Sequence, residues 1–297
     1  MQACQLPPFL QPGDDLWVTM PSGTLRERQD FDQGVAVLRS HSYTIHLSPN
    51  ITAQWGYLAG TDTQRRQALI EGLKGNYSGI FCGRGGYGGA RLLEDWDWPP
   101  APAKWLVGFS DVTALLWGLA TQGIASVHGP VMTTLAQEPD WSQQRLFDWL
   151  SGLPIPALTG KGWGQGKATG ILLPGNLTVA THILGTSLCP NLDQVILALE
   201  DVGEAPYRLD RMLTQWRMAG VFKQVKGIAL GRFSDCEAPT GVPSLTVEEV
   251  LRDRLGDLGI PIVSGLPFGH GAPNAALPVG VPAQLDGDQG TLTVGTS

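Results

Sequence analysis

The sequence predicts an α/β fold built on a parallel sheet, and three observations carry this. Short apolar runs alternate with stretches whose apolar residues recur at helical spacing, the pattern of parallel strands joined by crossover helices. The 39 glycines and 22 prolines supply the tight turns such a chain needs. Finally, the apolar run Trp105-Leu106-Val107 stops at Gly108-Phe109-Ser110-Asp111, and a helical pattern follows at Val112, Leu115, Leu116 and Leu119. That places a serine on a sharp strand-to-helix turn, with free N–H groups and the positive end of a helix dipole behind it.

Residues 15–20 read as the first strand, closed by Pro21-Ser22-Gly23. A helix over about 25–40 follows, with Phe31, Val35 and Leu38 on one face. Tyr43, Ile45 and Leu47 alternate with polar residues, a strand period. Thr61-Asp62-Thr63 offers caps for a helix carrying Ala68, Leu69 and Leu73. Residues 79–82 form the third strand, which runs into Gly83-Arg84-Gly85-Gly86-Tyr87-Gly88-Gly89. The Ser110 unit supplies the fourth strand, and residues 125–128, ending at Gly129-Pro130, the fifth. Loops after parallel strands emerge at one edge of the sheet, where ligands bind. The loops bearing Ser22, Arg84 to Gly88, Ser110 and His128 are therefore expected to meet around one crevice.

A Gly- and Pro-rich stretch around 152–166 separates two patterned regions. We expect a first domain over 1–155, a linker over 156–168 and a second domain over 169–297. In the second half, strands are expected at 170–175, 194–199, 227–230 and 261–264, with a C-terminal hairpin over 283–294. Helices are expected after Asn176, over about 209–218, and after the capping box Thr246-Val247-Glu248-Glu249.

The formal net charge of −7 argues against a protein that mainly holds nucleic acid phosphates. Cys4, Cys82, Cys189 and Cys236 are scattered without a C-x-x-C pair, so no structural zinc site is expected. The first twenty residues lack the pattern of a secretory signal, and no stretch reaches the ~18 apolar residues of a membrane helix. A cytoplasmic protein without a membrane partner is expected.

A serine hydroxyl needs a base, and the base an orienting carboxylate. His128 and His270 both sit on glycine loops at strand ends, and the residue pattern alone does not choose between them. Glu200 stands directly after an apolar strand, at the lip of the sheet. Gly108-Phe109-Ser110-Asp111-Val112 departs from the G-x-S-x-G elbow, because Val112 replaces the final glycine, and Ser110 also fits a plain helix N-cap. The glycine run at 83–89 lacks a P-loop lysine, and it follows the third strand rather than the first, a placement that argues against a nucleotide-dependent oxidoreductase.

Several segments, in order, resemble the LD-carboxypeptidase family of serine peptidases, which also holds the microcin immunity proteins. They are Ala59-Gly60-Thr61-Asp62, Arg84-Gly85-Gly86-Tyr87-Gly88, Gly108-Phe109-Ser110-Asp111, His128-Gly129-Pro130, Gly175-Asn176-Leu177, Leu199-Glu200-Asp201-Val202-Gly203-Glu204, Tyr207-Arg208, Asp210-Arg211-Met212-Leu213 and Gly269-His270-Gly271. The resemblance implies a Ser110, Glu200, His270 triad. It also implies a Rossmann-like N-terminal domain, a mixed α/β and partly barrel-like C-terminal domain, and a homodimer. On that reading the N–H groups of Asp111 and of Gly85 or Gly86 form the oxyanion hole, Arg84 and Asn176 bind substrate, and no metal or cofactor is needed. The substrate class implied is the murein tetrapeptide, cut before its terminal D-alanine during cell-wall recycling. Pro174 stands where the family pattern has glycine. Two alternatives remain: hydrolysis of an aminoacyl-nucleotide amide, as in microcin immunity, with Trp163 as a base platform, or a non-catalytic ligand-binding protein.

Overall fold

The computed structural model describes residues 1–295. The first half runs β1 (Asp15–Thr19), α1 (Arg28–Ser40), β2 (Thr44–Leu47), α2 (Asp62–Lys74), β3 (Gly79–Cys82), β4 (Trp105–Gly108), α3 (Thr113–Thr121), β5 (Ser126–His128), α4 (Met132–Leu135) and α5 (Asp140–Leu150). The second half runs β6 (Leu158–Thr159), β7 (Lys161–Gly162), β8 (Lys167–Asn176), α6 (Leu177–Ile183), β9 (Val195–Val202), α7 (Pro206–Met218), β10 (Gly227–Ser234), α8 (Val247–Leu255), β11 (Ile262–Ser264), β12 (Leu277–Val279), β13 (Val281–Asp286) and β14 (Thr291–Val294).

Among the described residues the strands form two sheets. The first has the order β12-β5-β4-β3-β1-β2. Its five N-terminal strands are parallel, and β12 joins antiparallel at the edge through Leu277 opposite His128. β3 and β4 are buried at every residue, as central parallel strands covered on both faces must be. β2 is an edge strand, so its alternating apolar residues stay partly open, Leu47 included.

The second sheet has the order β6-β14-β13-β8-β9-β10-β11-β7. β6 pairs with β14 at one edge and β7 with β11 at the other, yet only Gly160 separates β6 from β7. One short segment therefore bridges both edges, and the sheet is partly barrel-like. Glycines make the bridge possible: a Cβ on Gly162 would strike the backbone of Gly287, while the Gly164 N–H donates to the Gly287 carbonyl at 2.8 Å. The stretch expected to be only a linker thus contributes strands to this sheet.

Three other details differ from the sequence expectation. α1 begins at Arg28, because the Gly23 and Thr24 N–H groups are held by the carbonyls of Gly85 and Tyr57, which keeps the entry extended. α5 is an unforeseen helix. β12 leaves the second half to complete the first sheet. The capping box does form: Thr246 Oγ1 accepts from the Glu249 N–H, and Glu249 returns a bond to the Thr246 N–H.

α3 lies where the halves meet. Every residue from Thr113 to Ala120 is buried, and the helix packs against β5, β8, α6 and β12. Burying each of its leucines contributes about 1.5–3 kcal/mol. Two bonds fix it to β8: Trp117 Nε1–H donates to the Pro174 carbonyl at 2.9 Å, and the Asn176 N–H donates to Thr113 Oγ1 at 3.0 Å. Pro174 costs β8 no ladder bond. The Gly280 N–H donates to the Leu172 carbonyl, so this face of β8 looks toward β13, and beyond Leu172 that neighbour has already turned away as β12.

Candidate active site

β4 carries the chain into the turn at Ser110. Phe109 is extended, and Ser110 then adopts φ 64°, the left-handed region that costs a non-glycine residue strain. Gly108 makes the turn possible, since a Cβ there would stand 2.9 Å from Val112 Cγ1 and 3.0 Å from Cys82 Cβ. Val112, the departure from the elbow pattern, therefore packs onto the glycine that remains. Ser110 opens a short 3-10 turn over 110–112 that leads into α3, and neither helix start uses its side chain as a cap.

The Ser110 hydroxyl faces His270 instead, with Oγ 3.1 Å from Nε2. His270 Nδ1 lies 2.7 Å from Glu200 Oε2, and the His270 backbone N–H donates to the same oxygen at 3.1 Å. The structure thus brings Ser110, His270 and Glu200 into one hydrogen-bonded chain. Glu200 comes from β9 and is fully buried, whereas His270 keeps a 20% exposed side chain. Burial pushes the Glu200 carboxyl up, but the hydrogen bond and charge of His270 outweigh it, leaving Glu200 below its ordinary value. An ionised Glu200 only accepts, so Nδ1 carries the ring proton and Nε2 is free to accept from Ser110. Gly269, at φ 103°, presses on this contact: a Cβ there would stand 2.7 Å from Glu200 Cβ.

His128 does not join them. It is fully buried on β5, its ring set edgewise between Phe109 and Phe268. Burial pushes it down to about 4, so it is neutral. Both its ring nitrogens are unpartnered among the described residues.

Arg84, Gly85, Gly86, Phe109, Ser110 and His270 line a cavity of about 350 Å³, with Glu27 and Asp30 on its wall. Arg84 Nε donates to Glu27 Oε2 at 3.1 Å. Gly85 leaves no room for a side chain beside Ser110, since a Cβ there would stand 2.9 Å from its Oγ, and among the described residues the Gly85 and Gly86 N–H groups have no acceptor. Asp111 adds something unforeseen. Its buried carboxylate accepts the Gly89 N–H at 2.6 Å and ties the glycine loop to the serine turn.

Asn176 is a correction. Expected at the substrate, it is 4% exposed and does not line the cavity. Its Nδ2 donates to Glu200 Oε1 at 3.2 Å and to Asp201 Oδ1 at 2.9 Å, while Oδ1 caps α6 by accepting the Val179 N–H. The register of β8 with β9, which sets Asn176 opposite Glu200, explains this. Asp201 was missed, although its place beside Glu200 was a signal. Its Oδ2 is held by the N–H and hydroxyl of Thr178, and burial still pushes its carboxyl up. Trp163 is not a free platform either. The Arg252 guanidinium stacks 3.8 Å from its ring centre and its Nε1–H donates to Ser264.

Among the described residues no cluster of His, Cys, Asp or Glu is arranged to hold a metal ion, and no helix is long and apolar enough to cross a membrane.

Comparison with known proteins agrees with this architecture. Residues 17–129 match the LD-carboxypeptidase N-terminal domain and residues 169–285 the LD-carboxypeptidase C-terminal domain. A Synechocystis sp. protein provisionally named a carboxypeptidase is 60% identical over 96% of this chain and 95% of its own length. The murein tetrapeptide carboxypeptidase of Pseudomonas aeruginosa is 34% identical over 85% of this chain and 87% of its own. The muramoyltetrapeptide carboxypeptidase structure from Oxalobacter formigenes superposes with a TM-score of 0.83 at 28% identity, covering 95% of this chain and 99% of that one. The microcin C7 self-immunity protein MccF, solved with glutamyl sulfamoyl guanosine, shares the fold with a TM-score of 0.86 at 22% identity over 98% of both chains. With both family domains matched in order along one chain, this protein belongs to the LD-carboxypeptidase family.

Proposed function

We propose that the chain is a serine carboxypeptidase that cuts the LD peptide bond before the terminal D-alanine of murein tetrapeptides. The observation that carries this reading is the bonded chain Ser110–His270–Glu200 opening into the cavity beside Arg84. His270 Nε2 takes the Ser110 proton as Oγ attacks the scissile carbonyl carbon. Glu200 holds the imidazolium that results. The Asp111 N–H and a glycine N–H, Gly85 or Gly86, take the oxyanion, each donor being worth ~3 kcal/mol in the transition state. His270 then protonates the leaving amine, D-alanine departs, and water repeats the sequence on the acyl-enzyme. Arg84 suits the substrate's terminal carboxylate, since its guanidinium borders the cavity and keeps donors beyond the one given to Glu27.

Likeness to the Pseudomonas enzyme supports the substrate class. The family resemblance supports a cytoplasmic homodimer, which sedimentation of the purified chain tests. The microcin-immunity reading wanted a base-stacking ring, and Trp163 is covered by Arg252. The decisive experiment incubates the protein with tetrapeptides ending in D-Ala or L-Ala and follows amino acid release by mass. D-Alanine release that Ser110→Ala abolishes is expected. No release, together with no labelling of Ser110 by a fluorophosphonate, overturns the reading.

A further inference from the structure

The turn over 269–274 delivers His270, and it is gripped from two sides. From β10, the Ser234 hydroxyl donates to the His270 carbonyl at 2.6 Å, and Arg232 donates to the carbonyls of Gly271 and Pro273. From the first half of the chain comes Glu138, in the link between α4 and α5. Its Oε2 accepts the Asn274 N–H at 2.6 Å and the Ser142 hydroxyl at 2.7 Å. The Asn274 side chain in turn accepts the Gly269 N–H at 2.8 Å, the amide just before His270. Glu138 is 5% exposed and Asn274 2%, so this relay is shut off from water.

A buried carboxylate is expensive unless well paired, and Glu138 lies outside the Ser110–His270–Glu200 chain. We infer that Glu138 is a positioning residue: through Asn274 it fixes the turn so that His270, supplied by the second half, stays in line with Ser110, supplied by the first. The need is geometric, because a misplacement of about 1 Å at reacting groups costs roughly 100-fold in rate. The inference rests on the reading of Ser110 as nucleophile.

The test compares wild type with Glu138→Ala, Asn274→Ala and Glu138→Gln. Readouts are kcat and KM on the D-Ala tetrapeptide, the rate of fluorophosphonate labelling at Ser110, and the low-field proton signal of the His270–Glu200 bond. Both alanine variants are expected to lose about 10- to 100-fold in kcat and labelling rate, with KM little changed and the low-field signal shifted or lost. In Glu138→Gln the amide oxygen still accepts from Asn274, so kcat and signal return close to wild type. If Glu138→Ala does not fold, Glu138→Asp decides, because its shorter side chain draws the carboxylate back from the Asn274 N–H and the same loss is expected. A folded alanine variant with wild-type kcat and signal overturns the inference, as does a Glu138→Gln variant as slow as Glu138→Ala. Wild-type protein that resists labelling overturns the nucleophile reading itself, which separates the two failures.

Discussion

Gly85→Ala probes how closely the glycine loop approaches the serine. A methyl built at Gly85 would stand 2.9 Å from both Cβ and Oγ of Ser110. Carbon contacts settle near 3.5–4.0 Å, so roughly half an ångström or more must be found. Ser110 is poorly able to yield it, held at φ 64° by a turn in which Gly108 already abuts Val112 and Cys82. Gly85 itself is tied through its carbonyl to the Gly23 N–H at 3.0 Å. The displacement falls on the 3.1 Å Ser110–His270 bond, which has little reserve before it ceases to be a hydrogen bond. With roughly 100-fold lost per ångström of misplacement, kcat/KM should fall about 10- to 100-fold, or about 1.4–2.7 kcal/mol of barrier. Gly85 is buried and the methyl overpacks it against Ser110, so stability should fall by about 1–3 kcal/mol. D-Alanine release and fluorophosphonate labelling should slow together. Gly86→Ala acts by a different route: its Cβ would meet Arg84 Nη1 at 2.9 Å rather than Ser110, and at φ 107° it also strains the loop that offers an oxyanion N–H, so kcat should fall and KM rise together. A Gly85→Ala enzyme with wild-type turnover and melting temperature would refute the reasoning.

Glu200→Gln keeps the shape of the buried group but removes the charge facing the imidazolium and disturbs the ring tautomer. A loss of the order of 10⁴-fold in kcat is expected, with Ser110 labelling slowed in parallel. Arg84→Ala should cost about 10- to 100-fold in kcat/KM on a peptide with a free C-terminal carboxylate, the worth of a charged hydrogen bond, and have little effect on the C-terminal amide. His128 predicts an acid limb of stability. Its folded value of about 4 lies below the ordinary 6.5, so between these values the unfolded chain holds the extra proton and stability falls as pH falls. The whole interval amounts to about 3 kcal/mol. Denaturant melts of wild type and His128→Gln across that window should differ in slope by close to one proton, and parallel slopes would count against a neutral buried His128.

The Ser110 turn and the five parallel strands were legible because their causes are local: an apolar run, a glycine, then a helical period. Glu200 was legible for a related reason, a charge set directly after a buried strand. The choice between His128 and His270 was legible only through the family resemblance, since both follow a strand and sit beside glycine. What separates them is long-range. β12, arriving from the far end of the chain, pairs with β5 at His128, and the ring lies between Phe109 and Phe268. β6 and β7 are two residues each and exist only through partners more than a hundred residues away, so Gly- and Pro-rich sequence looked like a linker. Asn176 was misjudged in the same way. Its polar side chain after a strand suits a ligand, but the register with β9 spends it on Glu200 and Asp201. A hydroxyl from one half and an imidazole from the other can align only if buried polar residues span the junction. Asn176, bonded to Thr113 on the serine's helix and to Glu200, is one such span, and Glu138 with Asn274 is another. Such residues are spent on partners far away in the chain, so they leave no periodic trace in it.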